Sequence, residues 1–398
     1  MIVVLFTRST HFMQQVKSDV EAFARIRVVG VGGSGGNAVN HMVNSKVRGV
    51  DFVTVNTDAQ DLHHSFARKK IHIGKNLTKG LGTGMNPDLG KRAADETKEE
   101  LQEALKGSDM VFIAGGMGGG TCTGASAVVA KTAREMGALT VAVVTKPFSF
   151  EGLQRMRLAE LGLEDLKKEV DALIVIPNDR LLTAVSRETS VTSAFAMCDD
   201  ILKQAVEGIS DIITTPGIIN VDFADIRAVM ENAGSALMGI GTASGEKRAE
   251  EAAKAAINSP LLDISINGAK GVLFSVAGGE DLGLLEIQDA AKIITESIDP
   301  NAKVIFGTSR DAKLKKGEIR ITVIASGFPE ANAPRSASPL FQFSGKSKEE
   351  KEEKGKIFSP VSQPATETRK EPEEKKFTET SDDDWAAVPA FLRRSKLK

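Results

Sequence analysis

The sequence feature that most constrains the fold is a glycine-rich segment at residues 111–130, VFIAGGMGGGTCTGASAVVA. Its first residues are apolar in the manner of a buried strand, and after the glycines Ala and Val recur with helical spacing. The pattern therefore predicts a strand, a glycine loop and the N-terminus of a helix. The loop concentrates these glycines: Gly115, Gly116, Gly118, Gly119, Gly120 and Gly124.

So many glycines are conformationally expensive, and phosphate binding is one reason to keep them. Glycine lets successive backbone N–H groups converge on an anion, Thr121 and Thr123 add hydroxyl donors, and the following helix adds the positive end of its dipole. A tight turn between strand and helix is the structural alternative, although such a turn needs fewer glycines. A Walker P-loop is excluded, since no Lys-Ser/Thr pair follows the glycines.

A second glycine run follows an earlier apolar segment. Gly30, Gly32 and Gly35 satisfy G-x-G-x-x-G, and Asp58 follows the next predicted strand, close to where a dinucleotide-binding fold keeps its ribose-binding acid. This spacing alone favours a dinucleotide-dependent oxidoreductase. That hypothesis leaves the richer loop at residue 115 unexplained.

Composition favours a soluble protein with a large core. The chain has 398 residues, 41% of them hydrophobic, and a net charge of −2, which gives no general reason to expect nucleic-acid or membrane-surface binding. Cys122 and Cys198 lack disulfide or metal-site spacing and fit a reducing cytoplasm. The opening MIVVLF is too short for a signal peptide or a membrane span, so we expect a cytoplasmic protein.

Single residues and pairs after the central loop are candidates for ligand contact. Glu151 and Arg155, four residues apart at a predicted helix start, suit sugar hydroxyls and phosphate, or an ion pair on a solvated face. Phe195 and Asp199 have the same spacing in a long apolar helix predicted from about 192 to 213. The ring suits stacking on a purine and the carboxylate suits guanine N1 and N2, although Phe195 is equally explained as core. Asn178 follows a buried strand, at the sheet edge where ligands gather.

An acidic pair follows the long helix. Asp222 is placed to cap a new helix on which Asp225 lies three residues later on the same face. Two such carboxylates polarise a water or organise a cation. The alternative is that both only stabilise the helix N-terminus.

The composition changes beyond residue 329. Residues 346–379 contain nine basic and nine acidic residues with few apolar ones, a composition that predicts disorder. The last residues, DDDWAAVPAFLRRSKLK, regain apolar character. They predict a partner-docking peptide, with a tail that binds nothing as the alternative.

These motifs together resemble the tubulin/FtsZ family, as found in the cell-division GTPases of bacteria. The central loop is similar to the family's GGGTGTG, with Cys122 in place of a glycine, and GGSGGN is similar to its first nucleotide loop. LTKGLGTGMNP resembles LTRGLGAGGNP, with Met85 departing from the usual small residue. PFSFEGLQR, AF-x-x-x-D, the synergy loop GLxNxDFAD (217–225) and the tail motif D-[IL]-P-x-FLRR also match.

The resemblance implies which residues form the site. Catalytic roles fall on Asp222, Asp225 and Asn220. GTP or GDP is the ligand, with Mg²⁺ held mainly by its phosphates and no protein metal site. The implied nucleotide contacts are Gly33, Ser34, Gly35, Gly36, Asn37, Gly118, Gly119, Gly120, Thr121, Cys122, Glu151, Arg155, Asn178, Phe195 and Asp199.

The resemblance also implies an α/β tubulin-like fold with a mostly parallel sheet, a central core helix and a second, smaller α/β domain with a mixed sheet. The predicted order is an extension (1–24), a GTP-binding domain (25–190), the core helix (191–214), a C-terminal domain (215–330), a disordered linker (331–380) and a docking peptide (381–398).

The implied function is GTP hydrolysis coupled to head-to-tail polymerisation into the division ring at mid-cell, with the active site completed by the acidic loop of the next subunit. Membrane-tethering and regulatory division proteins are the partners expected at 381–398, without nucleic-acid binding or membrane insertion. The oxidoreductase and a non-hydrolysing tubulin-like scaffold remain as alternatives.

Overall fold

A computed structural model describes residues 24–328, apart from 183–188, 216, 260–261, 263–264, 280 and 312–313. The predictions for the N-terminal extension, the linker and the docking peptide lie outside these described residues, except that residue 24 is included.

The strands of the described residues form one sheet in the order β3-β2-β1-β4-β5-β6-β7-β10-β8-β9. Neighbours from β3 to β7 run parallel, β10 is antiparallel to both β7 and β8, and β9 is parallel to β8. The mostly parallel α/β fold with a mixed C-terminal part is therefore confirmed. The strands are β1 (Ile26–Val31), β2 (Val50–Asn56), β3 (Lys69–His72), β4 (Met110–Gly116), β5 (Leu139–Lys146), β6 (Ala172–Pro177), β7 (Gly234–Ser244), β8 (Gly271–Gly278), β9 (Lys303–Arg310) and β10 (Glu318–Ser326).

Helices cover both faces of this sheet. They are α1 (Gly32–Asn44), α2 (Ala59–His64), α3 (Lys75–Thr78), α4 (Pro87–Glu96), α5 (Lys98–Leu105), α6 (Thr121–Glu135), α7 (Leu153–Glu169), α8 (Asn178–Leu181), α9 (Val191–Thr214), α10 (Phe223–Met230), α11 (Arg248–Ile257) and α12 (Leu284–Glu296). No helix in the described part of the chain is both long and apolar enough to cross a membrane.

The central strands are apolar along their whole length because both of their faces are buried. Val28 belongs to a buried cluster on one face of the sheet that includes residues of α1, α9 and α10, while its neighbour Val29 belongs to a cluster on the other face that includes residues of α4 to α7. The alternation follows from the two-residue period of a strand. This arrangement fixes where the strands end, and therefore where the loops at their carboxyl ends converge.

Asn86 and Pro87 are typical of a helix start and Gly107 of a helix end, which predicts one helix between them. This prediction is wrong, because the structure has two helices, α4 and α5, divided at Thr97. The Thr97 hydroxyl donates to the carbonyl of Ala93 and accepts the backbone N–H of Gly74. A contact with a residue so distant in sequence holds Thr97 out of helical geometry, and local periodicity does not reveal it.

The long helix α9 is close to its prediction. It begins after Ser190, whose hydroxyl accepts the N–H of Ser193, and it runs for 24 residues, or about 36 Å at 1.5 Å per residue. Its buried side lies against the central strands. The helix therefore connects two distant ends of the molecule.

Candidate functional site

A cavity of about 320 Å³ lies at the carboxyl ends of β1, β4, β5 and β6. It brings together most of the nucleotide contacts predicted from the sequence. Its lining residues are Gly32, Gly33, Ser34, Asn37, Thr83, Gly116, Met117, Gly119, Gly120, Thr121, Cys122, Thr145, Pro147, Glu151, Arg155, Asn178, Phe195, Cys198, Asp199 and Leu202.

Hydroxyl groups join the loops that form one end of the cavity. The backbone N–H of Gly116 donates to Ser34 Oγ at 2.7 Å, which links the two glycine runs. Thr121 Oγ1 lies 2.9 Å from Thr57 Oγ1 and 3.3 Å from Thr83 Oγ1. Gly120 has no room for a side chain, since an added Cβ would lie 2.1 Å from Thr83 Oγ1. The loops are therefore fixed closely against one another.

Two helix N-termini point at this end of the cavity. Helix α1 begins at Gly32 and α6 at Thr121, and neither has a side-chain cap among the described residues. An uncapped N-terminus presents backbone N–H groups and the positive end of the helix dipole. Two of them at one cavity, together with the glycine loops, suit a polyphosphate.

Glu151 and Arg155 form an ion pair at the cavity wall, with Arg155 Nη1 donating to Glu151 Oε2 at 2.6 Å. They do not share a helix. Glu151 ends a 3₁₀ turn (Ser149–Glu151), Gly152 has φ of +102°, and Arg155 lies in α7. Glu151 Oε1 also accepts the backbone N–H of Phe148 at 2.9 Å. The pair is thus both an ion pair and part of the cavity wall.

Asn178 presents an unused acceptor to the cavity. The residue is 4% exposed, and its Oδ1 atom has no hydrogen-bond partner among the described residues. A buried amide oxygen without a donor is costly, so the arrangement favours a ligand that supplies one. A nucleoside has suitable N–H and O–H groups.

Phe195 and Asp199 lie one turn apart on α9 and line the same cavity as the glycine loops. Phe195 is 41% exposed and packs edge-on against Phe148 at a ring-centroid distance of 5.5 Å. Burial raises the pKa of Asp199 to about 6, although His41 on α1 lowers it in part. An exposed ring face beside a desolvated carboxylate suits a purine that offers N–H donors.

Both cysteines line the same cavity, and both are free and buried. Burial raises the pKa of Cys122 to about 11 and that of Cys198 to about 12. Cys122 Sγ also lies 3.4 Å from Ser126 Oγ. The thiols are therefore protonated packing groups at neutral pH.

Several cavity residues were missed from the sequence. Thr83 belongs to the segment that resembles LTRGLGAGGNP and lines the cavity, whereas Met85 in the same segment has φ of +61° and is absent from the lining. Cys198 and Leu202 follow Phe195 by three and seven residues, a helical spacing that could have found them. Thr145 lies near the end of β5 and carries no comparable signal, whereas Pro147 is the first residue of the PFSFEGLQR segment.

Three predicted contacts lie elsewhere. Gly35 and Gly36 are buried in α1 and do not line the cavity, and an added Cβ on Gly35 would lie 2.6 Å from Ala114 O, so Gly35 permits close helix–strand packing. The N–H of Gly118 donates to Thr123 Oγ1. Asp58, on which the oxidoreductase alternative depends, caps α2 by accepting the N–H groups of residues 60 and 61.

The predicted catalytic residues lie away from the cavity. Asp222 caps α10, and both Asp222 and Asp225 are exposed. Arg227 Nη2 donates to the carbonyl of Gly137, just before β5, and Asn232 N–H donates to Asp171 Oδ1, just before β6. Helix α10 therefore lies at the amino ends of strands whose carboxyl ends form the cavity, on the order of 25 Å away.

The loop before α10 is held by hydrogen bonds of its own. Asn220 Oδ1 accepts the backbone N–H of Gly217 at 2.7 Å. Its amide thus shapes the loop. Among the described residues, no group of three or more His, Cys, Asp or Glu side chains is placed to hold a metal ion.

Comparison with known proteins gives two family matches. A family model described as the GTPase domain of the Tubulin/FtsZ family matches residues 25–186, and one described as the C-terminal domain of the FtsZ family matches residues 234–329. Among solved structures, an empty FtsZ dimer from M. jannaschii is 48% identical, covers 76% of this chain and 88% of its own, and has a TM-score of 0.73.

Two further solved structures are similar. A mutant of M. jannaschii FtsZ is 47% identical over 77% of this chain and 92% of its own, with a TM-score of 0.74. CetZ2 from Haloferax volcanii, a GTPγS-bound protofilament, is 22% identical over 77% of this chain and 94% of its own, with a TM-score of 0.66. At that identity the likeness concerns the fold alone.

Proposed function

The chain belongs to the tubulin/FtsZ family of GTPases, and on that basis we propose that it hydrolyses GTP at a site completed by a second copy of itself in a head-to-tail filament. Family membership makes it a tubulin-like cytoskeletal GTPase that binds GTP and GDP. The observation that carries the finer proposal is the distance between the cavity and the acidic residues Asp222 and Asp225.

In the proposed complex, guanine lies on Phe195 and donates its N1 and N2 hydrogens to Asp199. Asn178 Oδ1 accepts from the nucleoside, and the Glu151–Arg155 pair borders the sugar and the first phosphate. The phosphates lie against the N-termini of α1 and α6, within reach of Thr121. The orphaned Asn178 acceptor and the uncapped helices support this orientation.

Mg²⁺ is the metal expected beside a nucleoside triphosphate, where it neutralises phosphate charge. The described residues do not offer an all-protein site, because no group of three or more His, Cys, Asp or Glu side chains among them is placed to hold a metal ion and the cavity carboxylate of Glu151 is paired with Arg155. We propose that the phosphates and water hold the ion, and the roles of the side chains do not depend on it.

The acidic residues serve a neighbouring molecule in this mechanism. From Phe195 to Thr214, α9 spans about 28 Å, so one subunit cannot bring its own Asp222 to its own phosphates. A head-to-tail contact can, with Asn220 shaping the loop and Asp222 or Asp225 polarising the attacking water. Because such a contact is heterologous, it propagates as an open filament and couples hydrolysis to assembly. The FtsZ dimer among the similar structures supports self-association.

The test uses Asp222→Ala in the full chain, with light scattering and phosphate release measured together on addition of GTP. We expect the variant to bind GTP and assemble, with hydrolysis reduced on the order of 100-fold. Mixing it with Thr121→Arg, which loses nucleotide binding but keeps an intact acidic loop, should restore turnover at mixed contacts.

Two results would overturn the shared site. One is normal hydrolysis by Asp222→Ala, which would leave Asp222 as a helix cap alone. The other is wild-type turnover per molecule that stays constant on dilution below the assembly threshold. Absence of any phosphate release from the wild type would instead favour the non-hydrolysing scaffold.

The cellular role is also part of this proposal. The filament forms the division ring in the cytoplasm at mid-cell, and residues 381–398 bind membrane-tethering and regulatory division proteins. The domain boundaries proposed from the sequence (25–190, 191–214 and 215–330) assign the cavity to the first domain and the acidic residues to the third.

A further inference from the structure

The acidic loop (217–222) is held by a side chain from a distant strand. Thr308, which lies on β9 and is 5% exposed, accepts the backbone N–H of Ile219 at its Oγ1 atom at 2.9 Å. The backbone N–H of Thr308 donates to the carbonyl of Ile219 at 3.0 Å. One residue of β9 thus satisfies both backbone groups of the central residue of the loop.

A close backbone approach reinforces this contact. A Cβ added to Gly217 would lie 1.6 Å from the carbonyl oxygen of Thr308, so the loop passes Thr308 at a distance that only glycine permits. The neighbouring Gly307 meets Val221, whose side chain would lie 2.8 Å from an added Cβ. The loop therefore packs against residues 307 and 308 just before Asp222.

Among the hydrogen bonds of the described residues, those of Arg227 and Asn232 hold the far end of α10, and those of Thr308 hold the loop before Asp222. Arg227 and Asn232 contact the amino edge of the parallel strands, while the side chains of Asp222 and Asn220 bond only within their own segment among the hydrogen bonds of the described residues. Core packing of Val221 and Ile226 holds the chain on either side of Asp222, and the hydrogen bonds of Thr308 fix the backbone of the loop that leads to it.

We propose that Thr308 is a positioning residue for hydrolysis in the neighbouring subunit: its hydroxyl fixes the acidic loop in the geometry that places Asp222 at the neighbour's nucleotide. The proposal rests on the shared active site proposed above. In this proposal Thr308 acts through the backbone of Ile219. Misplacement of a reacting group by about 1 Å can reduce a rate by two orders of magnitude.

The experiment compares Thr308→Val, which keeps the shape but removes the acceptor, with Thr308→Ser, which keeps the hydroxyl. We expect Thr308→Val to bind GDP with wild-type affinity and to form filaments, with phosphate release per sedimented molecule reduced at least tenfold. Thr308→Ser should stay within about twofold of the wild type. Mixing Thr308→Val with Thr121→Arg should restore turnover, since the intact loop of one variant then meets the intact pocket of the other.

Two further variants guard against a folding artefact. Thr322→Val, a threonine of β10 that is 6% exposed and makes no contact with the loop in the hydrogen bonds of the described residues, should behave as the wild type. Gly217→Ala displaces the loop from Thr308 by a different route and should reproduce the hydrolysis defect. Circular dichroism and thermal melts confirm that each variant is folded.

The outcomes separate the two proposals. If Asp222→Ala is inactive but folded Thr308→Val hydrolyses GTP normally, the role of Thr308 is refuted and the shared site stands. If Thr308→Val is defective and mixing restores nothing, Thr308 acts on its own subunit and the inference is also refuted. If Asp222→Ala itself hydrolyses normally, the proposed function fails first.

Discussion

Guanine recognition by Asp199 should depend on pH in a range where most carboxylates do not titrate. The pKa of Asp199 is raised to about 6 by burial at the cavity wall, and His41 only partly opposes this. The carboxylate must be ionised to accept both guanine hydrogens. As the pH falls through 6 the carboxyl becomes protonated and one acceptor is lost. The affinity for nucleotide should therefore decrease as the pH is lowered.

The size of the effect follows from the ionised fraction. With a pKa of about 6, Asp199 is almost fully ionised at pH 7.5 and about one tenth ionised at pH 5, so the affinity for GDP should fall about tenfold, or about 1.4 kcal/mol. An unperturbed aspartate would remain more than nine tenths ionised at pH 5 and would produce almost no change.

The assay is equilibrium binding of a fluorescent GDP analogue below the assembly concentration, at pH 7.5 and pH 5. Nucleotide phosphates also titrate in this range, so the quantity that matters is the ratio between wild type and Asp199→Asn, in which that contribution cancels. Asp199→Asn should bind more weakly at pH 7.5, lose part of its preference for GTP over ATP, and show no tenfold dependence.

Asp200 supplies a matched control on the same helix. Burial raises its pKa, but hydrogen bonds from Lys203 and His41 outweigh burial and hold the pKa below its usual range. Asp200→Asn should therefore keep the wild-type pH dependence. A wild-type to Asp199→Asn ratio that is equal at pH 7.5 and pH 5, or unchanged discrimination between GTP and ATP, would remove Asp199 from the base site.

Three further predictions concern other parts of the chain. Burial raises the thiol pKa values of Cys122 and Cys198 to about 11 and about 12, so iodoacetamide at pH 8 should modify the folded protein at least about 100-fold more slowly than the urea-unfolded chain. Bound GDP should slow the modification further. Equal modification rates of the folded and unfolded chains, measured by mass spectrometry, would refute this prediction. Arg248→Met should lower the midpoint of urea unfolding, since buried Arg248 no longer pairs with Glu286 and Asp281, whereas an unchanged midpoint would show the cluster to be neutral. Removal of residues 381–398 should leave phosphate release within about twofold of the wild type but abolish recruitment to the division site in cells, and normal rings without these residues would contradict the docking role.

Much of the fold could be predicted from the sequence because its elements have strong local signals. The central strands are apolar on both faces, and α9 has a helical period and a serine cap, so their positions are nearly correct. The division between α4 and α5 could not be predicted in the same way. It depends on Thr97 meeting Gly74, and nothing in the local pattern reports a contact between residues so far apart.

The residues of the candidate site also separate into those that local spacing predicts and those that depend on contacts between distant residues. Glycine loops and the i, i+4 pairs could be found because their spacing is a local property. Spacing alone does not find Thr57 or Thr83, since each becomes part of the site by approaching Thr121 in space, although Thr83 lies in the segment that resembles LTRGLGAGGNP. Thr308 is a stronger case, because its partner Ile219 lies 89 residues away and neither residue type has a chemical signature.

The alternatives that the sequence left open for Glu151 and Arg155 are not exclusive, and this bears on how the cavity binds phosphate. Arg155 is the one basic side chain among the described residues that line the cavity, and the carboxylate of Glu151 already pairs with it. A nucleoside triphosphate carries several negative charges, so side-chain charge cannot account for its binding. In the proposed complex, opposing charge beyond that of Mg²⁺ comes from backbone N–H groups in the glycine loops and from the uncapped N-termini of α1 and α6. In the proposed complex the glycines of the central loop are therefore needed for phosphate binding as well as for turning the chain. A side chain at Gly120 would push the loop away from Thr83 and misdirect those N–H groups.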